Sequence, residues 1–399
     1  MHVVADTDQL IADGVITQPQ ADEIRARARD TMVTLAVNTL LCAGIIAATA
    51  GFIFWLADAL SVAVLGGLML AGGITILTRG SDNFAMFGNA SALIGAGMLI
   101  GGAAAELLNK YDDIAGQVMA LGGAVVAGVF AWALRSPKFP AKFVAGSALL
   151  MGLALHLGGV AIEMMDHQVT GLPKALLLFY AAALVAVAGW LTDVRLVTAL
   201  AIVPFAQMLD TGTFYFHAAY VFYSPEPTLS ILQMSALIAL CLWTARRWPP
   251  RHGRHALIAM MLAFVVANLC ALVGSLWGDV VGQTMWGPGR WSRSEYDDWE
   301  DYQAARDAFE AQALVISEHV FSVLWAVVLI ALAIWAAHSN RRGLFNAAIT
   351  FGAIHVYTQF YESFFDEPLA YVIGGLAAIP LAWGMWRLNK WFVATRDTA

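Results

Sequence analysis

Carboxylates stand at the ends of several long apolar segments in this 399-residue chain. Side chains of this kind gathered at one end of a helical bundle would create a negative potential that concentrates cations or protons. The alternative is that each carboxylate only marks the place where a helix meets water. Glu318 and His319 open a further segment, and the segment-ending residues are Asp58, Glu106, Glu163, Asp210, Asp279 and Glu362.

Two histidines lie inside apolar segments. His156 precedes Glu163 by two helical turns and lies on the same face of the helix. Because a histidine titrates near neutral pH, His156 is either a proton relay or a neutral ring bonded to a neighbouring helix. His355, Gln359 and Glu362 share one face of a later segment, which either lines a cavity or hydrogen-bonds within the bundle.

A polar stretch from residue 279 to residue 314 interleaves aromatic residues with acids. Such a stretch could stack on a sugar or dock a protein partner through residues 286–312. Equally, the aromatic rings could lie in the lipid headgroup region and the acids in water. The aromatic docking candidates are Trp286, Trp291, Tyr296, Trp299 and Tyr302.

Familiar catalytic motifs do not occur in the sequence. It contains no phosphate-binding Gly-rich loop ending in Lys and Ser or Thr, no His-Glu-x-x-His zinc motif and no Gly-x-Ser-x-Gly elbow. We therefore predict no catalytic residues, no metal site and no cofactor. A membrane enzyme acting on lipid or glycan ranks third among the functional hypotheses.

The elements that position these residues are predicted to be transmembrane helices. Hydrophobic residues make up 60% of the chain and charged residues 13%, against about 25% charged residues in soluble domains. The sequence predicts an all-α, polytopic bundle of about twelve helices built from helical hairpins. The predicted spans run roughly at 31–57, 60–78, 85–106, 114–134, 143–165, 175–192, 196–221, 228–245, 255–278, 315–337, 343–361 and 368–389.

Basic residues alternate with acids along the loops and so predict the orientation. Of the 22 Lys and Arg, all but five fall at the termini or in even-numbered loops, and such residues are retained on the cytoplasmic side. We predict that both termini are cytoplasmic, with an N-terminal helical pair at 1–30 and a transmembrane domain at 31–399. The five exceptions are Lys110, Lys174, Arg290, Arg293 and Arg306.

An internal repeat links two of the segments. Gly95 to Asn109 aligns without a gap on Gly152 to Asp166, which places Glu106 on Glu163. The repeat predicts duplicated helical hairpins. It also sets these two carboxylates apart from the others, since they share one repeat position.

The two ends of the chain resemble a known group of sequences. Residues 10–17 (LIADGVIT) and 20–24 (QADEI), with residues 346–365 and 374–376, are similar to bacterial predicted membrane proteins with domains of unknown function of the 2157 and 4401 types. About a quarter of the chain carries the resemblance. It implies a multi-pass protein of the bacterial cytoplasmic membrane, and it favours interest in residues 359–365.

Two functional hypotheses follow. The first is a secondary transporter or ligand-binding membrane protein with an acidic outward vestibule, in which Glu106, Glu163, Asp210 and Glu362 bind charge and His156 or His355 relays protons. Its partners would be lipid and a small polar or cationic solute or protons. The second is a non-transporting envelope component that docks a periplasmic protein through residues 286–312. Nucleic acid is not expected, because the basic residues form no patch.

Overall fold

The fold is almost entirely helical. The computed structural model describes residues 7–56, 58–80, 85–137, 139, 141–216, 219–288, 298–339, 341–364 and 366–396. Helix accounts for 84% of the structure, which confirms the all-α class. The chain divides into two compact units, Met1–Val169 and Thr170–Ala399, called unit 1 and unit 2.

Unit 1 contains six helices among its described residues. Thr17 starts the second of these, because its backbone N–H donates to Gln20 Oε1 at 2.9 Å in half of a capping box. Arg25 on that helix donates to Thr7 and pairs with Asp8, which fixes the first helix to the second. The helices are α1 (Thr7–Ala12), α2 (Gln18–Leu56), α3 (Ala59–Arg79), α4 (Ala85–Lys110), α5 (Asp112–Arg135) and α6 (Lys142–Asp166).

Unit 2 combines helices with two short antiparallel β-hairpins. Its first elements are α7 (Gly171–Thr192), α8 (Arg195–Leu200), α9 (Ile202–Gln207), β1 (Gly212–Phe216), β2 (Ala219–Tyr223), α10 (Pro227–Arg247) and α11 (Pro250–Trp277). The remainder are β3 (Asp279–Val280), α12 (Gln283–Trp286), α13 (Trp299–Glu310), β4 (Val315–Ile316), α14 (Glu318–His338), α15 (Arg342–Phe364) and α16 (Pro368–Arg396). Strand β1 pairs with β2, and β3 pairs with β4.

Eight helices of the described residues are long and apolar enough to cross a membrane. A multi-pass membrane protein follows from this number. Helices α2, α15 and α16 cover the first, eleventh and twelfth predicted spans, and their crossing stays a prediction, as does the total of twelve. The eight helical stretches are Ala59–Arg79, Phe87–Lys110, Asp112–Arg135, Lys142–Asp166, Gly171–Thr192, Pro227–Arg247, Pro250–Trp277 and Glu318–His338.

The predicted seventh span at 196–221 is wrong as a single helix. The short helices α8 and α9 occupy its first half, and hairpin β1–β2 occupies its second half. Phe and Tyr make up six of the eleven residues from Thr213 to Tyr223, which also include a threonine and a valine, and aromatic and β-branched side chains favour strands. Hydropathy alone does not distinguish such a run from a helix.

Glycines bring the helices of unit 1 into close contact in two hairpins, α3–α4 and α5–α6. A Cβ added at Gly66 would come within 3.0 Å of the Leu99 backbone, and one at Gly123 would come as close to the His156 backbone. The same register that places Glu106 on Glu163 also places Gly66 on Gly123. The two hairpins therefore repeat the same close helix contacts, which small residues permit.

Helix α11 lies at the centre of a core in unit 2. Ala271 of α11 packs with Trp325 and Leu329 of α14 and with Phe351 of α15. The Trp325 indole N–H donates to Asn268 Oδ1 at 2.9 Å, so the one polar atom of that indole is satisfied. This packing fixes the end of α11, where the candidate site lies.

Candidate functional site

A cavity of about 340 Å³ lies within unit 2. The last turn of α11 and strand β3 form one wall, and the first residue of α10 and the end of β2 form another. Helix α13 contributes two side chains. The charged and aromatic lining residues are Asp210, Tyr223, Trp277, Asp279, Tyr302 and Arg306.

The cavity and the basic residues occupy opposite ends of the α10–α11 hairpin. Helix α10 begins at the cavity and ends with Arg246 and Arg247, and α11 starts with Arg251 and Arg254 in its first two turns and ends at the cavity.

A glycine directs the chain from α11 into the cavity wall. Gly278 has φ of +69°, a backbone conformation that residues with a Cβ rarely adopt. A Cβ at this position would also lie 2.7 Å from the Ile316 carbonyl oxygen. Because of this turn, Asp279 of β3 pairs with Ile316 of β4, and Asp279 lines the cavity.

Two buried carboxylates hold the cavity wall together, because each accepts hydrogen bonds from backbone N–H groups that follow the other carboxylate in the sequence. Glu226 precedes α10, and its two oxygens accept from the backbone N–H groups of Gly282 at 2.7 Å and Thr284 at 2.9 Å. Asp279 in turn accepts through Oδ2 from the Thr228 N–H in the first turn of α10 at 2.9 Å. We call these five residues the Glu226–Asp279 clasp. Carboxylates at helix N-termini are favourable because the N–H groups there lack partners.

Asp279 is only 4% exposed, and half of its carboxylate is unused. Its Oδ1 atom and the Thr284 hydroxyl are buried without a hydrogen-bond partner among the described residues. Burial raises the pKa of the Asp279 carboxyl above its usual range, and nearby Glu226 adds to the shift, while hydrogen bonds from Thr228 oppose it. The unpartnered oxygen makes Asp279 a candidate to receive a cationic partner.

Both cations at the cavity are already paired. Lys174 Nζ lies 2.7 Å from Asp210 Oδ1, and Arg306 Nε lies 2.6 Å from Glu310 Oε1. The hydrogen bond with Glu310 raises the pKa of the Arg306 guanidinium. Asp279 and Glu226 form no ion pair with a cation in the described part of the chain, so the cavity is electronegative.

Three hydroxyls join the cavity wall to α10. Thr211 and Ser230 lie 2.6 Å apart between their oxygens, and Ser224 lies 3.0 Å from each of them. All three side chains are buried, and each hydroxyl forms hydrogen bonds with the other two. They secure both ends of hairpin β1–β2 and give no sign of a nucleophile.

Three predicted site residues belong to unit 1. Glu106 pairs with Lys110 at 2.8 Å, and Glu163 approaches His167 at 3.4 Å, so the two repeat positions carry equivalent pairs one turn apart. His156 is buried, and its Nδ1 atom lies 2.6 Å from the Ala120 carbonyl oxygen on α5. That contact fits the interpretation of His156 as a ring bonded to a neighbouring helix.

The predicted polar face of α15 is only partly buried. His355 is buried against the Trp325 ring, with 4.8 Å between centroids, and its Nδ1 has no hydrogen-bond partner among the described residues. Gln359 donates to the Ser275 carbonyl at 3.4 Å, which ties α15 to α11. Glu362 is exposed.

The aromatic docking candidates fall into different environments. Trp286 is 78% exposed, and with Phe309 it lines a crevice between α12 and α13. Tyr302 lines the cavity and lies 5.4 Å from the Trp299 ring. Trp291 and Tyr296 lie outside the described residues.

A hydrogen-bond chain at the basic end of unit 2 did not figure among the predicted sites. His255 contacts the Thr198 hydroxyl at 2.7 Å through Nδ1 and Asp193 at 3.0 Å through Nε2. Arg251 lies 3.2 Å from the same aspartate. Residues this far apart in sequence give no signal of pairing. These contacts join α7, α8 and α11.

Comparison with known proteins gives no relatives. No family model, no curated protein and no solved structure matches the chain.

Proposed function

We propose that this multi-pass membrane protein binds a small polar solute in the unit 2 cavity, as a secondary transporter or a solute-binding membrane protein. The observation that carries the proposal is the buried Asp279, whose Oδ1 faces no described partner in a residue that lines the cavity. A buried carboxylate without a partner is costly, and a ligand that satisfies it recovers that cost.

The orientation supports uptake of the solute from outside. We propose that both termini and the Arg246–Arg254 loop lie in the cytoplasm of a bacterial cell, because these segments carry most of the basic residues. The cavity at the other end of α10 and α11 then opens outward. Of the four charge sites in the first hypothesis, Asp210 lines this cavity, whereas Glu106, Glu163 and Glu362 are not among its lining residues and stay predictions.

Native mass spectrometry of the protein in nanodiscs tests the proposal. We expect a bound small molecule on the wild type that is lost from Asp279→Asn. The Asn carbonyl still accepts from the Thr228 N–H, so the variant should fold. Asp307→Asn is the matched control, because Asp307 is exposed on α13 and does not line the cavity. Equal retention of the molecule by both variants, or no molecule at all after incubation with cell extract, would contradict the proposal.

A second function is favoured by the exposed Trp286. A non-transporting envelope component would dock a periplasmic protein at the crevice that Trp286 and Phe309 line. Trp286→Ala should then abolish co-purification of that protein while leaving solute binding intact. A complex that survives this substitution removes the docking hypothesis.

A further inference from the structure

The charge around the cavity is unbalanced. Asp210, Asp279 and Arg306 line the cavity. Lys174 pairs with Asp210, Glu310 pairs with Arg306, and Glu226 accepts from the backbone of the lining residue Thr284. Two negative charges remain in excess when every group is ionised, and both belong to the clasp, at Glu226 and Asp279. A cationic ligand is therefore favoured over an anionic one.

The unsatisfied atoms specify the kind of cation. Asp279 Oδ1 and Thr284 Oγ1 are two oxygen acceptors of cavity-lining residues that lack partners among the described residues. A primary ammonium group has three N–H donors and no acceptor. A quaternary ammonium has the same charge but no donor, and a carboxylate would face only acceptors and negative charge.

The remaining lining suits the body of such a ligand. Tyr223, Trp277 and Tyr302 line the cavity, and aromatic rings attract ammonium groups and pack on short carbon chains. A volume of about 340 Å³ lies near the lower end of ligand pockets, roughly 300–1,000 Å³, so the ligand is small.

Resting on the proposed function, we infer that the solute carries a primary ammonium group, which pairs with the Asp279 carboxylate. At a pH where the carboxyl is protonated, its proton goes to solvent when the ammonium binds, so the charge in the cavity is conserved. Binding of the amine and binding of the proton are then mutually exclusive. Such competition is the thermodynamic basis of exchange of an amine for a proton.

Competition with the proton sets a pH dependence of known sign. Burial raises the pKa of Asp279, so the carboxyl stays protonated into a pH range where an ordinary aspartate is ionised. Amine affinity should rise with pH until the carboxyl is fully ionised and then level off. The titratable or charged groups that face or flank Asp279 are Asp210, Tyr223, Glu226, Tyr302 and Arg306.

Calorimetric titration of the full chain in nanodiscs with three probes tests the inference. The probes are propylamine, tetramethylammonium and butyrate, at constant ionic strength. We expect propylamine to bind at least about tenfold more tightly than the other two, since only it offers N–H donors and positive charge. Its affinity should rise by up to about tenfold per pH unit below the pKa of Asp279 and level off above it.

Two variants separate the site from the rest of the molecule. Asp279→Asn should weaken propylamine at least about tenfold and abolish the pH dependence, whereas Asp307→Asn should change neither. Should Asp279→Asn fail to fold, the pH dependence of the wild type with the three probes still decides the question. An affinity for propylamine that does not change with pH, or that survives Asp279→Asn, overturns the inference.

The failures of the two proposals are distinguishable. If butyrate binds as tightly as propylamine, the cavity binds solutes and only the ammonium inference fails. If none of the three probes binds and native mass spectrometry recovers no solute, the proposed function fails as well.

Discussion

Two aspartates that follow helices in unit 2 have pKa values shifted in opposite directions, and their surroundings explain the difference. Burial raises the pKa of Asp279, whose Oδ1 has no described partner. The hydrogen bond from His255 lowers the pKa of Asp193, with a further contribution from Arg251. The sequence indicated only that Asp279 ends an apolar segment, and Asp193 was not among the predicted sites. The neighbours supplied by the fold make one a candidate binding group and the other a structural anion.

Asp193→Asn tests the structural role at the residue scale. Asp193 has φ of +57°, a conformation that Asn also tolerates, so the substitution removes charge without new backbone strain. We expect a lower Tm at neutral pH. Because the folded pKa is lowered, the stabilisation exists above the ordinary pKa of aspartate, about 4, and is lost as pH falls through the folded value.

Thermal unfolding at several pH values checks this expectation. The Tm difference between wild type and Asp193→Asn should shrink as the solution is acidified. Asp166→Asn, which neutralises an exposed aspartate at the end of α6, should leave Tm nearly unchanged. A Tm loss of the same size at neutral and acidic pH would show that the charge is not responsible.

At the scale of elements, the two hairpins of unit 1 depend on glycines that meet the backbone of the neighbouring helix. Gly123 faces the His156 backbone so closely that a Cβ cannot fit without a shift, whereas a Cβ at Gly122 would meet open space. Overpacking of this kind costs about 1–3 kcal/mol. The neighbouring pair of glycines thus offers a matched comparison within one helix.

Gly123→Ala should lower Tm, and Gly122→Ala should not. Gly66→Ala should resemble Gly123→Ala, because the two positions are equivalent in the repeat. Differential scanning calorimetry in one lipid composition gives the comparison. Equal Tm values for the two alanine variants in α5 would mean that the helices do not approach as described.

Glu226→Gln tests the clasp, which fixes α12 against α10. A carboxylate accepts from both Gly282 and Thr284, but the amide NH₂ of Gln would face one of these N–H groups. Leaving one buried donor unsatisfied costs about 1–3 kcal/mol. Hydrogen exchange of the Thr284 amide should accelerate together with a fall in Tm. Unchanged protection of that amide would exclude the clasp.

Much of this element order could be predicted from hydropathy, and some of it could not. The hairpins at 60–165 match predicted spans closely, since each apolar run has the length of a membrane crossing. The prediction of a single helix at 196–221 was wrong. The aromatic-rich residues from Thr213 to Tyr223 are as apolar as a membrane-spanning helix, but strands β1 and β2 lie there. Asp210 was predicted as a charge site. The other charged residues that line the cavity, Asp279 and Arg306, come from distant parts of the sequence and join Asp210 there only through the tertiary fold.

At the scale of the whole molecule, the distribution of basic residues and the position of the cavity support one orientation. Arg246 and Arg247 end α10, and the cavity lies where α10 begins. If the basic end is cytoplasmic, a solute reaches Asp279 from outside the cell. In both the proposed function and the ammonium inference, the ligand and the protons reach the cavity from outside the cell.

Labelling of Gln283→Cys by a thiol reagent that does not cross membranes tests most directly whether the cavity faces outward and binds a solute. Gln283 lines the cavity, Cys241 and Cys270 are buried, and the third native cysteine, Cys42, is replaced by alanine in every variant. In intact cells we predict labelling of Gln283→Cys that the bound solute slows, and labelling of Arg246→Cys only after the cells are opened. Labelling of Gln283→Cys only in opened cells, or at a rate that no solute changes, would contradict an outward solute cavity.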